Sequence, residues 1–285
     1  MAYGRNYYPD QQVFLGALNG TPSEIKGVQA FDGSWNVPYE QMNAGGYEFV
    51  GTEIQGELVG DVSVSRYIIT GTDPITGLIN EPVSGFLVYG TQESYDKVFN
   101  FKRGYITSYE SSCSLGDIAT CDFGLTAYGG IGKIGTGSRS YTPIEAQGVR
   151  ASDITLTTEF GSTNAIQSYN LSLAFERSPV PKVGQMFEPI DFTTALPIVA
   201  TLGLEVLVND MELENVKDVV CSGFAQDILI EMNKCGELAI RSFTLNDSKL
   251  VDSSIKADIG SNMTISLTYE AYYNSITGAI SKIMS

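Results

Sequence analysis

The sequence contains no histidine. Ser-His-Asp and Cys-His nucleophile systems therefore cannot be assembled. Imidazole zinc sites cannot form either, and the commonest acid–base group near neutral pH is missing. Any catalysis would have to rest on carboxylates, lysine or tyrosine. Cysteine is scarce. Cys113, Cys121, Cys221 and Cys235 are too few to staple 285 residues, and none forms a CxxC pair, so a zinc ribbon is not expected. Buried free thiols are expected; a bridge within either pair, each of which can sit across a hairpin, is the alternative. Basic residues are also few, with 17 Lys+Arg against 33 Asp+Glu and a formal net charge of −16. Such a chain repels phosphate and anionic membrane. No long apolar run exists. The most apolar stretch, residues 195–208, is too short to span a bilayer and contains Glu205. Residues 1–8 have no apolar h-region, so no secretory signal is expected and a soluble, cytoplasmic product is.

Apolar material is ample, at 43% hydrophobic and 11% aromatic residues, which suits a packed core in one large or two smaller domains. Gly and Pro recur along the whole chain, and short period-two segments lie between them, the pattern of an all-β protein. Residues 61–68, 154–160, 169–176 and 263–270 alternate in this way. Each predicts a strand with one apolar face and one polar face. Gly161-Ser162-Thr163-Asn164 reads as a hairpin turn. Residues 91–99, with Thr91 as N-cap, read as a short amphipathic helix, and residues 214–230 as a second, so that each half holds one small helix.

An internal repeat is the most informative feature. Residues 21–32 align with residues 142–153 at seven identical positions out of twelve, including Gly27-Val28 and Gly148-Val149. Three weaker echoes follow in the same order. Val62-Ser63-Val64-Ser65 matches Leu171-Ser172-Leu173-Ala174, Ile106-Thr107-Ser108-Tyr109 matches Ile240-Arg241-Ser242-Phe243, and Leu125-Thr126-Ala127-Tyr128 matches Tyr269-Glu270-Ala271-Tyr272. Residues 1–140 hold 8 basic and 15 acidic residues (−7), and residues 141–285 hold 9 and 18 (−9). A glycine-dense stretch, residues 129–138, separates the halves as a linker. The expected organisation is an N-terminal arm over residues 1–20, a first β domain over 21–134 and a second over 135–285.

No chemical motif rises above background. Gly130, Gly132, Gly135 and Gly137 lack the GK[ST] ending and the strand-to-helix setting of a phosphate loop. The Asp-Thr-Gly and Asp-Ser-Gly tripeptides of aspartic proteases do not occur. Asp210, Glu212 and Glu214 could touch calcium but lack the central glycine of an EF-hand loop. Trp35 is expected as a core or interface anchor. No catalytic residue, cofactor site or metal site is assigned, and the chain is not expected to be an enzyme.

Two groups of residues carry a resemblance. Arg177-Ser178-Pro179-Val180-Pro181-Lys182-Val183-Gly184, followed by Phe187-Glu188-Pro189-Ile190, resembles an R-x-P-I/V-x-x-L/V-G segment of tailed-bacteriophage structural proteins. Tyr105 to Tyr109, Ser114 to Thr120 and Asp122 to Ala127 resemble the T-S-Y/F … S-x-G-D-F … F-x-A ending of phage tail tube proteins. The second half departs from that ending at Ala257-Asp258-Ile259-Gly260. The resemblance implies a mainly β chain of two tandem tail-tube-like β-sandwich domains, each flanked by about one helix. It further implies a virion protein, synthesised and assembled in the host cytoplasm. Its partners would be copies of itself in trimeric, pseudo-sixfold rings stacked into a tube, together with terminator, tape-measure and baseplate proteins. DNA would pass through the tube without specific binding, and no membrane would be involved. The alternation adds that the polar strand faces, represented by Ser63, Ser65, Asn170 and Ser172, should line the lumen. Residues 3–8 and 276–285 are candidates to reach between rings, with terminal disorder the other reading. Alternatives of related architecture are a tail terminator, a baseplate protein or a capsid-decorating protein; a carbohydrate-binding β-sandwich or a carboxylate glycosidase represents another class.

Overall fold

A computed structural model describes residues 12–37, 39–44, 47–54, 59–69, 73–91, 94–132, 148–158, 161–163, 166–180, 189, 191–207, 225–233, 239–257 and 263–284. The chain is mainly β, with large antiparallel sheets and, among the described residues, two short helices. The strands are β1 (Gln12–Ala17), β2 (Ser23–Ile25), β3 (Val28–Asn36), β4 (Tyr39–Ala44), β5 (Tyr47–Ile54), β6 (Val59–Tyr67), β7 (Val83–Thr91), β8 (Ser94–Ser114) and β9 (Thr120–Gly132). There follow β10 (Ile154–Thr158), β11 (Gly161–Thr163), β12 (Ile166–Ala174), β13 (Arg177–Val180), β14 (Asp191–Thr194), β15 (Ile198–Leu207), β16 (Gln226–Asn233), β17 (Ala239–Lys256) and β18 (Thr264–Tyr273). Helix α1 is Pro74–Leu78 and helix α2 is Ile276–Ile283, with a 3-10 turn at Ala151–Asp153.

The four alternating segments are strands β6, β10, β12 and β18, because period-two hydrophobicity puts every apolar side chain on one face. In β15 the alternation of buried and half-buried positions runs unbroken from Ile198 to Leu207.

Fourteen strands form one hydrogen-bonded system. The long strands β8 and β17 each serve two ladders. β8 pairs β7 through its first half and β9 from Asn100 to Ser112. β17 pairs β16 up to Ser248 and β18 from Lys249 onward. The lateral order of the first set is therefore β3-β6-β9-β8-β7-β1-β2, and that of the second is β12-β15-β18-β17-β16-β10-β11. Taken in chain order the two sets are the same. Each also inserts a separate hairpin, β4–β5 or β13–β14, after its third strand.

The registers correspond as well. The β3–β6 ladder slips between Val28 and Ala30, bulging at Gln29; β12–β15 slips between Ile166 and Ser168, bulging at Gln167. β8 slips against β9 between Ile106 and Ser108, as β17 does against β18 between Leu250 and Asp252. Where β7 meets β8, Val83 faces Gly104 and Gly85 faces Phe101. In β16–β17, Gln226 faces Ser248 and Ile228 faces Leu245, again across an irregular step. Bulges bend and twist strands locally, so both sets are bent at corresponding places.

Several expectations need correction. Of the four sequence echoes, only Leu125-Thr126-Ala127-Tyr128 with Tyr269-Glu270-Ala271-Tyr272 is in structural register, since Leu125 faces Ile106 and Tyr269 faces Leu250. Ile106 corresponds to Leu250 rather than Ile240. Val62 to Ser65 lie on β6, whose counterpart is β15, not the β12 of Leu171 to Ala174. Gly27 forms the left-handed turn before β3 (φ +78°), whereas Gly148 and Val149 lie ahead of β10, so the longest match joins non-equivalent places. Thr91 ends β7 and residues 94–99 begin β8; the described part of the expected helix is strand because Val98 and Phe99 pair with Val88 and Leu87 across the β7–β8 ladder. The described part of the second expected helix, residues 226–230, is strand β16. Gly161 to Thr163 form β11 itself rather than the turn. Within residues 1–20, expected as an N-terminal arm, Val13 and Leu15 lie on β1 and are buried in the core. Residues 1–11 and 133–147, which include most of the glycine-dense linker, and the Asp210 to Glu214 segment lie outside the described residues.

The apolar faces of both strand sets form a single cluster of buried side chains, a β-sandwich-like core running from Leu15 and Val64 to Leu202 and Leu267. Helix α1 opens at Asp73, whose carboxylate accepts the Ile75 N–H (3.0 Å), with Pro74 in its first turn; Ile75 and Ile79 enter the core. Helix α2 is capped by the Ser275 hydroxyl on Gly278 N–H (3.0 Å). It buries Ala279 and Ile283 against its own chain, and Met284 bridges to Phe243, so residues 276–284 do not reach outward. Trp35 is not a core residue; it is 59% exposed.

Candidate functional surface on the continuous sheet

The two strand sets meet through one ladder, β8 with β12, from Ser114 opposite Ser168 to Ser108 opposite Ala174. That ladder makes β3-β6-β9-β8-β12-β15-β18-β17 an uninterrupted run of eight strands. Its two faces differ sharply. One carries Val62, Val64, Phe123, Leu171, Leu202 and Leu267 into the core. The other is polar along its whole width.

The register assigns this face row by row. Ser65, Asp122, Glu110, Ser172, Thr201 and Glu270 lie directly opposite one another on successive strands. Beside them run Thr120, Ser112, Asn170, Gly203 and Thr268 on one side, and Ser63, Gly124 and Ser108 on the other. All four expected positions, Ser63, Ser65, Asn170 and Ser172, therefore lie on one face, and Ser65 and Ser172 share a row. Sequence reading did not single out the carboxylates that accompany them: Asp61, Glu110, Asp122, Glu205 and Glu270. The signal was available, since each stands an even number of residues from a polar neighbour in its strand. Neutral donors hold four of these carboxylates. Asn170 Nδ2 donates to Glu110 Oε1 (2.6 Å), Thr126 Oγ1 to Asp61 Oδ1 (3.1 Å), Thr264 Oγ1 to Glu205 Oε1 (3.1 Å) and the Tyr272 hydroxyl to Glu270. Asp122 and Glu110 face each other directly, and Asp122 Oδ1 is buried without a hydrogen-bond partner. Like charges directly opposite weaken a sheet, so stability alone does not account for this row.

At one end the polar face closes under an aromatic cluster. Hairpin β13–β14 lays Phe192 against Tyr105 and Tyr128, and the Arg177 guanidinium sits 5.5 Å from the Tyr105 ring centre. The polar face thus presents hydroxyls, amides and carboxylates, with no nucleophile–base pair among the side chains of its central rows.

No family of proteins matches this chain, and no curated protein does.

Beneath the sheet, Cys113 and Cys121 are free, buried thiols. Burial, helped by the Asp117 charge, pushes the Cys113 thiol up from its ordinary value of 9.0 to about 11, and burial raises Cys121 and Tyr109 too. Raised values mean that the fold prefers the neutral forms. Their contribution is complete below the unfolded value and disappears as pH climbs through the folded one. The melting temperature should therefore hold steady from pH 7 to about 8.5 and fall between about pH 9 and 11. Cys113→Ala should flatten part of that fall. Thermal melts across this range check it, and a flat profile would contradict it.

Proposed function

We propose that this chain is a structural, non-enzymatic subunit of a tailed-bacteriophage tail tube, assembling with copies of itself into stacked rings that conduct DNA. In this reading the chain holds two copies of one β module, joined side by side, and each ring contains three chains. The observation that carries the proposal is the eight-stranded sheet whose apolar face is sealed in the core while its other face is a carpet of hydroxyls, amides and carboxylates. An isolated protein has no need of so broad a polar sheet with open ends; a wall around a water-filled channel does.

Three chains of eight strands make 24. At about 4.8 Å per strand the wall is about 115 Å around and about 37 Å across before strand tilt widens it. Carboxylates lining that wall repel passing phosphates, which keeps DNA from adhering during transit. The net charge of −16 has the same sense. Terminator, tape-measure and baseplate proteins would meet the tube at its ends and along its bore, and the finished location would be the virion tail.

Negative-stain electron microscopy of the purified protein at rising concentration tests the proposal. Rings or tubes with a stain-filled centre and three- or sixfold averages are expected. A monodisperse monomer at every concentration and salt condition would overturn it.

A further inference from the structure

The eight-stranded run ends in two open edges among the described residues. At one end β3 pairs only β6, and residues 29, 30 and 32–36 are exposed. At the other, residues 249–256 of β17 pair β18 on one side and have no described strand on the other. Open edges of this length invite addition of another strand.

The register correspondence says which strand. Within one chain β8 is joined by β12. The counterpart of β8 is β17, and the counterpart of β12 is β3. We propose that residues 249–256 of β17 take β3 of a second copy of this chain, antiparallel, in the register with which β12 joins β8. The inference rests on the ring reading above and names its subunit joint.

The positions follow from the ladders. Ser112, Glu110 and Ser108 correspond to Lys256, Ser254 and Asp252, which face Thr264, Ser266 and Thr268 as the former face Thr120, Asp122 and Gly124. Asn170, Ser172 and Ala174 correspond to Asp32, Ser34 and Asn36. Since Asn170 faces Ser112 inside the chain, Asp32 of one copy comes opposite Lys256 of the next, an acid facing a base. On the core side, Trp35 (59% exposed) and Ile255 (55%) are the counterparts of Leu173 (1%) and Ser111 (0%), which the internal joint buries. The joint would therefore cover two large apolar side chains that each edge leaves in water. The same ladder repeated around a ring removes every open edge of the polar sheet.

Disulfide trapping tests the joint. Asp32→Cys and Lys256→Cys proteins, each in the full chain, are mixed and oxidised. A cross-linked dimer should form in the mixture and in neither protein alone, and the double variant should give closed covalent multimers. Gln29→Cys mixed with Lys256→Cys, out of register, should cross-link at least tenfold less. Trp35→Glu should abolish association in sedimentation while keeping the parent's far-ultraviolet circular dichroism; an unchanged multimer would overturn the proposal. Rings seen by microscopy without the in-register cross-link would overturn the joint and leave the tube reading standing. Neither rings nor cross-link would overturn both.

Discussion

Replacing Asp73 with alanine is expected to destabilise the protein by about 3–5 kcal/mol, measured as the shift in urea unfolding. Asp73 is a buried anion between two buried cations. Its Oδ1 lies 2.5 Å from Arg66 Nη2 and its Oδ2 lies 3.0 Å from Arg241 Nη1, with side-chain exposures of 3%, 4% and 9% for Asp73, Arg66 and Arg241. The Tyr109 hydroxyl also donates to Oδ2 (3.1 Å), and the Ile75 N–H to Oδ1 (3.0 Å). Truncation removes the only carboxylate in this cluster among the described residues and leaves two guanidinium groups facing one another out of water. The Arg66 Nε already lacks a hydrogen-bond partner there. Breaking a buried pair costs more than never having built one, because the surviving charge stays desolvated. Loss of the α1 cap adds about 1 kcal/mol. Asp73→Asn should fall between the two, keeping an oxygen for the Ile75 N–H but not the charge. A loss under about 1 kcal/mol for Asp73→Ala would refute this account. Arg241 belongs to β17 while Arg66 and Asp73 belong to the first strand set, so the cluster also clamps the two sets together.

Leu171→Ala should cost about 2–5 kcal/mol and lower the melting temperature by roughly 5–10 °C. Leu171 is fully buried in β12, between Ser111 of β8 and Leu202 of β15. The lost methyl groups leave a cavity that extended strands on both sides cannot collapse to fill. The site also lies on the seam between the two strand sets. Other links cross that seam: Phe175 N–H to Thr107 C=O (2.8 Å), Leu115 N–H to Gln167 C=O (2.8 Å) and Asn80 Nδ2 to Thr277 Oγ1 (3.3 Å). With core, ladder and ion cluster all shared, the sets should unfold in one transition, and Leu171→Ala should shift that transition without splitting it. Calorimetry checks both points. Two resolved peaks in the parent protein would mean that the seam is weaker than its contacts imply.

Much of the sheet was legible in the residues, because a strand buried on one face must alternate, and the segments at 61–68, 154–160, 169–176 and 263–270 do so. The position of the polar face was legible for the same reason, which is why Ser63, Ser65, Asn170 and Ser172 share it. Local periodicity failed where pairing decides. Residues 91–99 carry apolar spacing compatible with a helix, yet residues 94–99 pair across β7 as the start of strand β8. The equivalence between halves was visible only dimly. Identity at Gly27-Val28 and Gly148-Val149 attracts alignment, but fold correspondence runs through bulges at Gln29 and Gln167 and through the slips at Ile106 and Leu250. Bulge position is a property of two strands at once and leaves little mark on either sequence.

The residues alone determined the chemistry this chain can have and the class of fold it adopts: without histidine its polar groups are hydroxyls, amides and carboxylates, and period-two hydrophobicity leaves strands as the economical way to bury its apolar side chains. Tertiary structure alone decided that the two strand sets fuse through β8 and β12 into one sheet, that Asp122 and Glu110 stand face to face on it, and that β3 and the end of β17 are its open edges among the described residues. Hydrogen-bond partners between strands are chosen by backbone groups that are the same in nearly every residue, so neighbourhood is settled only when the whole core packs.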